Sequence, residues 1–417
     1  MHDIFVEEGM RTIIKLAGLV AIAVSLSSFS FADETGFFDA IQNGDANLNF
    51  RLRYEDANQS ANTRQGAQAL TLRSRLSFET QTYKLFSGLI EFDDVTAIPD
   101  DDNYNSGNNG QIDDVLVVDP EGTEINRVWL AYDISNTLFR YGRQDYNLNN
   151  ERIIGSDAWH QNQQTLSGLS IKNESLNYTR INFAQFNKVE GVQDQQLSGA
   201  HSSLDAKLIN LEYRGFLISK LSLYSLWLDD HDIQTQWESK TYGLNFTGLL
   251  GSEPLVEYLI GYANQEDSGN NPLNYSAHYS HYDIQLTYHG FQFKLGQETL
   301  GADGEGFFVT PLASQHNFQG WTGQFINQGL GNIKGGVIDQ YVGLGFSCSD
   351  SFNVLAIYHD FQSDSHKTGL GDLGSEWGIQ ALAELNEYRF VAKYADYSKD
   401  RFGVDTNRLW LSVELAL

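Results

Sequence analysis

Two arginines stand among leucines in the stretch ALTLRSRLSFET, residues 69–80. Arg73 and Arg75 fall between the alternating Leu70, Leu72, Leu76 and Phe78. LNFRLRYED repeats the arrangement, with Arg51 and Arg53 set between Leu48, Phe50, Leu52 and Tyr54. Arg127 and Lys294 take similar polar places, and Glu79, Glu91, Asp339 and Glu376 are expected to point the same way. Bases facing acids across a narrow, water-filled passage set a transverse field that selects solutes by charge and size. Anionic groups would pass by pairing transiently with the arginines. The chain as a whole carries 54 acids and 27 bases, a formal charge of −27. The bases are therefore placed against the overall balance, and no nucleic-acid partner is expected.

Other chemistry is sparse. DDNYNSG, 101–107, puts Asp101, Asn103 and Asn105 at the first, third and fifth places of an EF-type calcium loop. The glycine comes one residue late, at Gly107, and Ile112 stands where the loop needs a glutamate. A solvated acidic loop is the expectation, with calcium a weak candidate and no other cofactor. His278 and His281 would diverge on a strand. His359, Asp360 and Ser363 could be forced into a hydrolase set, but adjacent strand residues face opposite ways. No GxSxG stretch and no phosphate-binding glycine loop occurs.

The elements that must hold these residues follow from the same alternation. Runs of about ten residues with period two recur along the chain, among them HYDIQLTYH, FQFKLGQE, YRFVAKYAD and RLWLSVELAL. About ten residues cross a bilayer as a tilted strand. Long joints alternate with short ones, the long near 57–68, 93–124, 145–163, 186–204, 229–239, 265–280, 300–334, 361–373 and 396–405. That sorting predicts an all-β, antiparallel transmembrane barrel of about 18 strands, with short periplasmic turns and long extracellular loops. The acids of 93–124 would crowd the outer mouth. The weakest patterning lies near 138–145 and 165–184.

At the N-terminus, MRTIIKLAGLVAIAVSLSSFSFA has a basic start, an apolar run and small residues at Ser30 and Ala32. It predicts a secretory signal peptide over 1–32, with translation starting at Met10. Residues 33–45 would be a periplasmic segment and 46–417 the barrel. The lone cysteine, Cys348, forms no intrachain disulfide.

Several stretches resemble the alginate-export type of outer-membrane porin, a family of monomeric 18-stranded barrels. GRQDYNLNNERIIGSDAWHQNQQT (142–165) and TPLASQHNFQGWTGQF (310–325) are similar to two of its motif blocks. YHDF, GSEW, KYADY and DTNRLWLSVE match its closing strands in order. His160, Leu166 and Ser167 depart from its pattern, and the chain ends on Leu417 where an aromatic is usual. The resemblance implies passive diffusion of an acidic oligosaccharide or another small anion. It also implies Arg143, Gln144 and Arg152 as lumen or constriction residues. The expected setting is the outer membrane of a Gram-negative bacterium. Partners would be its lipid, a small anionic or saccharide solute, and the barrel assembly machinery during biogenesis. Loops 93–124 and 300–334 are candidates to fold inward. A barrel-anchored receptor or adhesin, or an outer-membrane hydrolase, are the alternatives.

Overall fold

A computed structural model describes residues 36–417 apart from 61–63, 101–102, 193–200, 231–236, 328, 350, 366 and 368. The expected leader, the first three residues of the 33–45 segment, and Asp101 lie outside the described residues.

A short helix, Phe37–Gln42, precedes the strands. The first nine are β1 (Asp45–Gln59), β2 (Ala67–Glu79), β3 (Phe86–Ala97), β4 (Gly122–Ile134), β5 (Thr137–Gln144), β6 (Thr165–Asn173), β7 (Thr179–Glu190), β8 (His201–Tyr213) and β9 (Ser219–Asp230). There follow β10 (Ser239–Leu250), β11 (Leu255–Asp267), β12 (Ser276–Tyr288) and β13 (Phe291–Leu300). A two-residue ribbon, β14 (Ala302–Asp303) and β15 (Gly306–Phe307), interrupts the series. The last five are β16 (Val337–Ser349), β17 (Phe352–Gln362), β18 (Asp372–Leu385), β19 (Tyr388–Lys399) and β20 (Thr406–Ala416).

Apart from the ribbon these form one 18-stranded antiparallel sheet in which each strand pairs with its neighbours in the chain. β1 pairs with both β2 and β20, so the sheet closes on itself. The poorly patterned regions become the two shortest strands of the wall, β5 and β6.

The alternation seen in the sequence is the alternation of the wall. Outward positions carry Leu130, Leu344, Leu295 and Ile284, all exposed although large and apolar. Aromatic side chains border this belt: Tyr242, Tyr262, Tyr358 and Trp377 toward the long loops, and Tyr288, Phe291, Phe346 and Tyr388 toward the short turns. An apolar band between two aromatic girdles is the outer surface of a strand barrel in lipid. The short connections are tight because their residues accept left-handed backbone. Ser135 and Asn136 join β4 to β5 with φ of 50° and 62°, and His289 and Gly290 join β12 to β13 with 49° and 80°.

The interior is not a bare tube. Apolar clusters fill its long-loop half, three of them joining wall to loop. The largest joins Phe186, Leu208, Leu226 and Tyr279 of the wall to Ile154, Phe308 and Leu312. A second sets Tyr104, Val115 and Val117 against alanines of β1–β3. A third packs Phe325 and Ile333 against Phe361 and Tyr397. Segments 98–121 and 301–336 therefore turn inward, as the sequence suggested. Segment 145–164 does so as well.

The facing assignment is directly testable. Leu72→Arg on the outer face should oppose assembly by roughly 2–4 kcal/mol near the midplane. Gln380→Arg on the inner face should assemble normally. Gel migration before and after boiling, following refolding into lipid, reads the difference.

Candidate pore lining and inward loops

The strand register explains where the arginines go. Arg75 lies opposite Asp93, and Glu91 opposite Arg127, so each base meets an acid across the ladder. Arg75 donates to both carboxylate oxygens of Asp93, at 2.6 and 2.5 Å. Arg127 grips Glu91 at 2.8 and 2.7 Å and reaches Asp145 at 3.0 Å. Arg51 has no such luck: its register partner is Arg73. Like charges directly opposite on a strand pair repel.

The chain resolves that conflict with backbone carbonyls. Segment 156–164 runs along the inner wall over β1 and β2. Arg51 donates to Gln161 Oε1 at 2.9 Å, to Ala158 O at 3.1 Å and to His160 O. Arg53 donates to Trp159 O and lies 3.3 Å from Asp119. Arg73 reaches Asn49 at 2.5 Å and Glu414 at 3.2 Å. Gln161 returns the contact, its amide donating to Arg51 O at 3.2 Å and to Thr71 Oγ1 at 2.9 Å. All three guanidinium side chains are buried.

Asp119 pins segment 98–121 to the same place. It accepts the Gln161 N–H at 2.8 Å. Burial alone would raise its pKa, but the Arg53 charge, His160 and the Gln161 N–H outweigh burial and hold the carboxyl down at about 2.

A second anchor lies beside the first, on β18–β20, the strands that meet β1 at the closure of the barrel. Glu376 accepts the Trp321 N–H at 2.5 Å, the Thr322 N–H at 3.1 Å and the Thr322 hydroxyl at 2.6 Å. Gly378 lets the Trp321 ring approach; a Cβ there would sit 2.5 Å from it. Lys393 points into a box of indoles, 4.3 Å from the Trp159 ring centre, 4.0 Å from Trp321 and 5.9 Å from Trp410. Its Nζ lies 2.9 Å from His316 Nε2. Burial and the neighbouring Lys393 push the His316 pKa well down, which favours the neutral ring. The His316 ring stacks on Trp159 at 4.2 Å and 2°. One lysine thus joins segment 145–164 to segment 301–336.

The remaining sequence candidates divide between these anchors and the open wall. Arg152 is buried against Glu298 at 3.0 Å and lies over Phe318 at 4.6 Å. Gln144 is buried and ties β5 to β6, donating to Gly168 O at 3.2 Å and accepting from Ser170 at 2.7 Å. Asp339 accepts from His359 Nδ1 at 2.8 Å. Lys294 pairs with Asp283 at 3.2 Å and keeps 30% of its side chain exposed. Glu79 is exposed at the short-turn end of β2. The side chains of Arg75 and Arg127 keep 14 and 24% exposure, while Asp93 and Glu91 behind them keep 0 and 2%. Arg143, expected in the lumen, lies opposite the outward Val128 in the β4–β5 register, donates to Thr165 Oγ1 at 2.7 Å and lies 4.0 Å from Glu124.

The hydrolase set is not assembled. His359 is committed to Asp339, and the Ser363 hydroxyl donates to Gly335 O at 3.1 Å. His278 is exposed and His281 buried, on opposite faces of β12. Of the calcium candidates, Asn105 Oδ1 accepts the Gly107 N–H at 2.9 Å, and no group of three or more metal-ligating side chains occurs among the described residues. The sequence reading missed Trp159, Gln161, Asp119 and Lys393. The amide-rich WHQNQQ run, long for a solvated loop to spend on Gln and Trp, was the one available signal.

No family model matches this sequence, and no curated protein matches it. Solved structures do. Acinetobacter baumannii OccAB2 superposes with a TM-score of 0.73 at 14% identity, over 91% of this chain and 98% of that one. Pseudomonas aeruginosa OccK9 (OpdG) gives 0.71 at 14%, over 91% and 100%. The P. aeruginosa outer membrane protein OpdK gives 0.66 at 14%, over 89% and 98%. Identity this low speaks to the fold, which is that of these barrels. The alginate-export family is not among the findings.

Two outcomes follow. Asp119 has an ordinary pKa of 3.8 and a depressed one in the fold, so its anchoring, roughly 2 kcal/mol, is present above about pH 4 and lost as pH falls through 2. Pepsin cleavage within 145–164 should rise steeply over that range in the parent protein. In Asp119→Asn it should vary far less with pH. Lys393→Ala should leave the boiling-dependent gel shift intact but raise chymotrypsin cleavage at Trp159 and Trp321 about tenfold at neutral pH.

Proposed function

We propose that the chain is an outer-membrane porin of a Gram-negative bacterium, passing small polar solutes passively and favouring anions such as acidic sugars. The apolar belt and girdles support the membrane setting. The short turns and both termini then lie in the periplasm, and the barrel assembly machinery inserts the chain. No catalytic step and no cofactor is needed for diffusion.

The observation that carries the preference is the layering of charge at Arg75 and Arg127. Their guanidinium groups face the lumen while the partnering carboxylates of Asp93 and Glu91 are buried behind them. A passing carboxylate therefore meets donors first. The lumen wall is low in dielectric, which focuses that field; loop acids stand in water and are screened beyond about 10 Å at 0.1 M salt. A net charge of −27 need not make a cation pore. Arg51, Arg53, Arg73 and Arg152 act differently: they hold the inward segments that narrow the passage.

The packed interior favours one other reading, a barrel that anchors surface loops as a receptor and conducts nothing. Reconstitution into planar bilayers separates the two. The proposed porin conducts, prefers anions at physiological salt, and loses part of that preference as salt is lowered. Arg75→Gln combined with Arg127→Gln should move the reversal potential toward cations. A cation-selective channel indifferent to both substitutions would overturn the anion preference, and a silent barrel would favour the anchor.

A further inference from the structure

Among the described residues the wall has a deep gap above β5. The β4–β5 ladder begins at Val128 opposite Arg143, whereas β4 extends upward to Gly122 along β3. Residues 122–127 thus have a strand neighbour on one side alone, a drop of roughly 20 Å along the strand. The cause is segment 145–164. It leaves the wall at Gln144, plunges into the lumen, and rejoins at Thr165, so β5 and β6 stop short together.

Three of the barrel's register irregularities surround the gap, at Glu91/Phe92, Ser167/Gly168 and Phe186/Lys188. Bulges re-aim side chains beside functional openings. At the foot of the gap Gly142 and Gly168 face each other in register. Their φ values are +134° and +154°, and a Cβ on either would collide with neighbouring backbone, at 2.3 Å and 2.1 Å. The wall there is built for thinness.

A cavity of about 670 Å³ occupies the notch. Its lining mixes the two faces of the barrel. Ile125, Val128 and Tyr141 belong to the lipid side, with Tyr141 67% exposed. Arg143, Ser167 and Lys188 are polar. Glu124 lies 4.0 Å from Arg143, and Glu190 2.6 Å from Lys188. Lys188 keeps 40% exposure and Glu190 5%, so the cation stands forward of its acid. A bare strand edge cannot lie in hydrocarbon, where each unpaired group costs several kcal/mol. The outward residues of β7 turn polar at this height, Gln185 and Asn187 both exposed. The notch therefore opens at the headgroup layer.

We infer that this notch is a side doorway for amphiphilic anions: a single anionic head between Arg143 and Lys188, with a short apolar tail over Ile125, Val128 and Tyr141. Such a solute, already concentrated at the membrane surface, would reach the arginine-lined lumen without crossing the acidic mouth. The inference rests on the porin reading, because a doorway needs a passage behind it.

The test uses the full chain in planar bilayers of zwitterionic lipid, with 1-octanesulfonate or methanesulfonate on the long-loop side. Both anions stay charged and neither crosses lipid readily. Octanesulfonate should interrupt the KCl current at a concentration about tenfold lower than methanesulfonate. Tyr141→Ser and Lys188→Gln should each weaken that effect several-fold, and Ser167→Trp, which fills the notch, should remove it, all with KCl conductance unchanged. Equal potency of octanesulfonate on parent and variants that conduct KCl normally would overturn the doorway and leave the porin standing. So would loss of the effect on adding anionic lipid, since the notch would then hold a lipid headgroup. If the parent conducts no KCl, the porin reading is what fails. Binding of labelled octanesulfonate to the protein in nanodiscs, weakened by Lys188→Gln, would then show a site, and equal binding would dismiss it.

Discussion

Every backbone polar group in contact with lipid has to find its partner within the protein, and this one requirement organises the molecule. Strands meet it by pairing on both sides, and a sheet does so only by closing. Closure fixes a single facing for each residue, because a shift of one place would turn a whole strand over. An acidic chain can then carry arginines among leucines without penalty. The leucines take the lipid and the arginines take the inside. The place where the wall lacks a strand neighbour, above β5, is consistent with the same rule, since it lies where the outer surface has become polar.

The inside has its own economy. Arg51 and Arg73 oppose each other in register and would repel in an empty lumen. They become neighbours in a shared network once carbonyls of 158–161, Asn49 and Glu414 surround them. Fixed dipoles and a few carboxylates thereby turn a repulsive pair into the seat for a loop. The same device with opposite sign appears at Glu376, which gathers two backbone N–H groups and a hydroxyl from segment 301–336. Charges on the wall divide by their cover: some are enclosed by protein and hold the inward segments, and others, such as Arg75 and Arg127, are left partly facing the interior.

Much of the fold was legible in the sequence because period-two alternation survives single-residue inspection. LNFRLRYED and ALTLRSRLSFET each fix facing, length and neighbour, and the sorted joints give the direction of every strand. β5 and β6 were hard to read for a physical reason. They are short and bordered by the inward segment, and β6 carries a register irregularity at Ser167/Gly168, so Leu166 faces a packed core where a lumen residue would be polar. The site was half legible. Arg75 and Arg127 could be placed on the inner face, but Arg143 lies opposite the outward Val128, and whether an arginine faces water or a loop depends on a segment about a hundred residues away. Nothing local to Lys393 announces three indoles from 159, 321 and 410. The resemblance to alginate-export barrels pointed to the right architecture.

The first and last strands meet in the wall. Leu48 and Leu417 exchange backbone hydrogen bonds at 3.1 and 2.8 Å, and β20 lies along β1 from Asn49–Ala416 to Gln59–Thr406. Arg408 with Glu55, and Glu414 with Asn49 and Arg73, stitch the same seam from within. This pairing joins residues more than three hundred positions apart, the most expensive kind of contact to find by chance. Until the final strand is made, β1 waits with a naked edge, a template for any other extended chain. Biogenesis must therefore shelter the first strand for as long as the last one takes to arrive, and a chain cut short before Thr406 has no way to become a sealed cylinder.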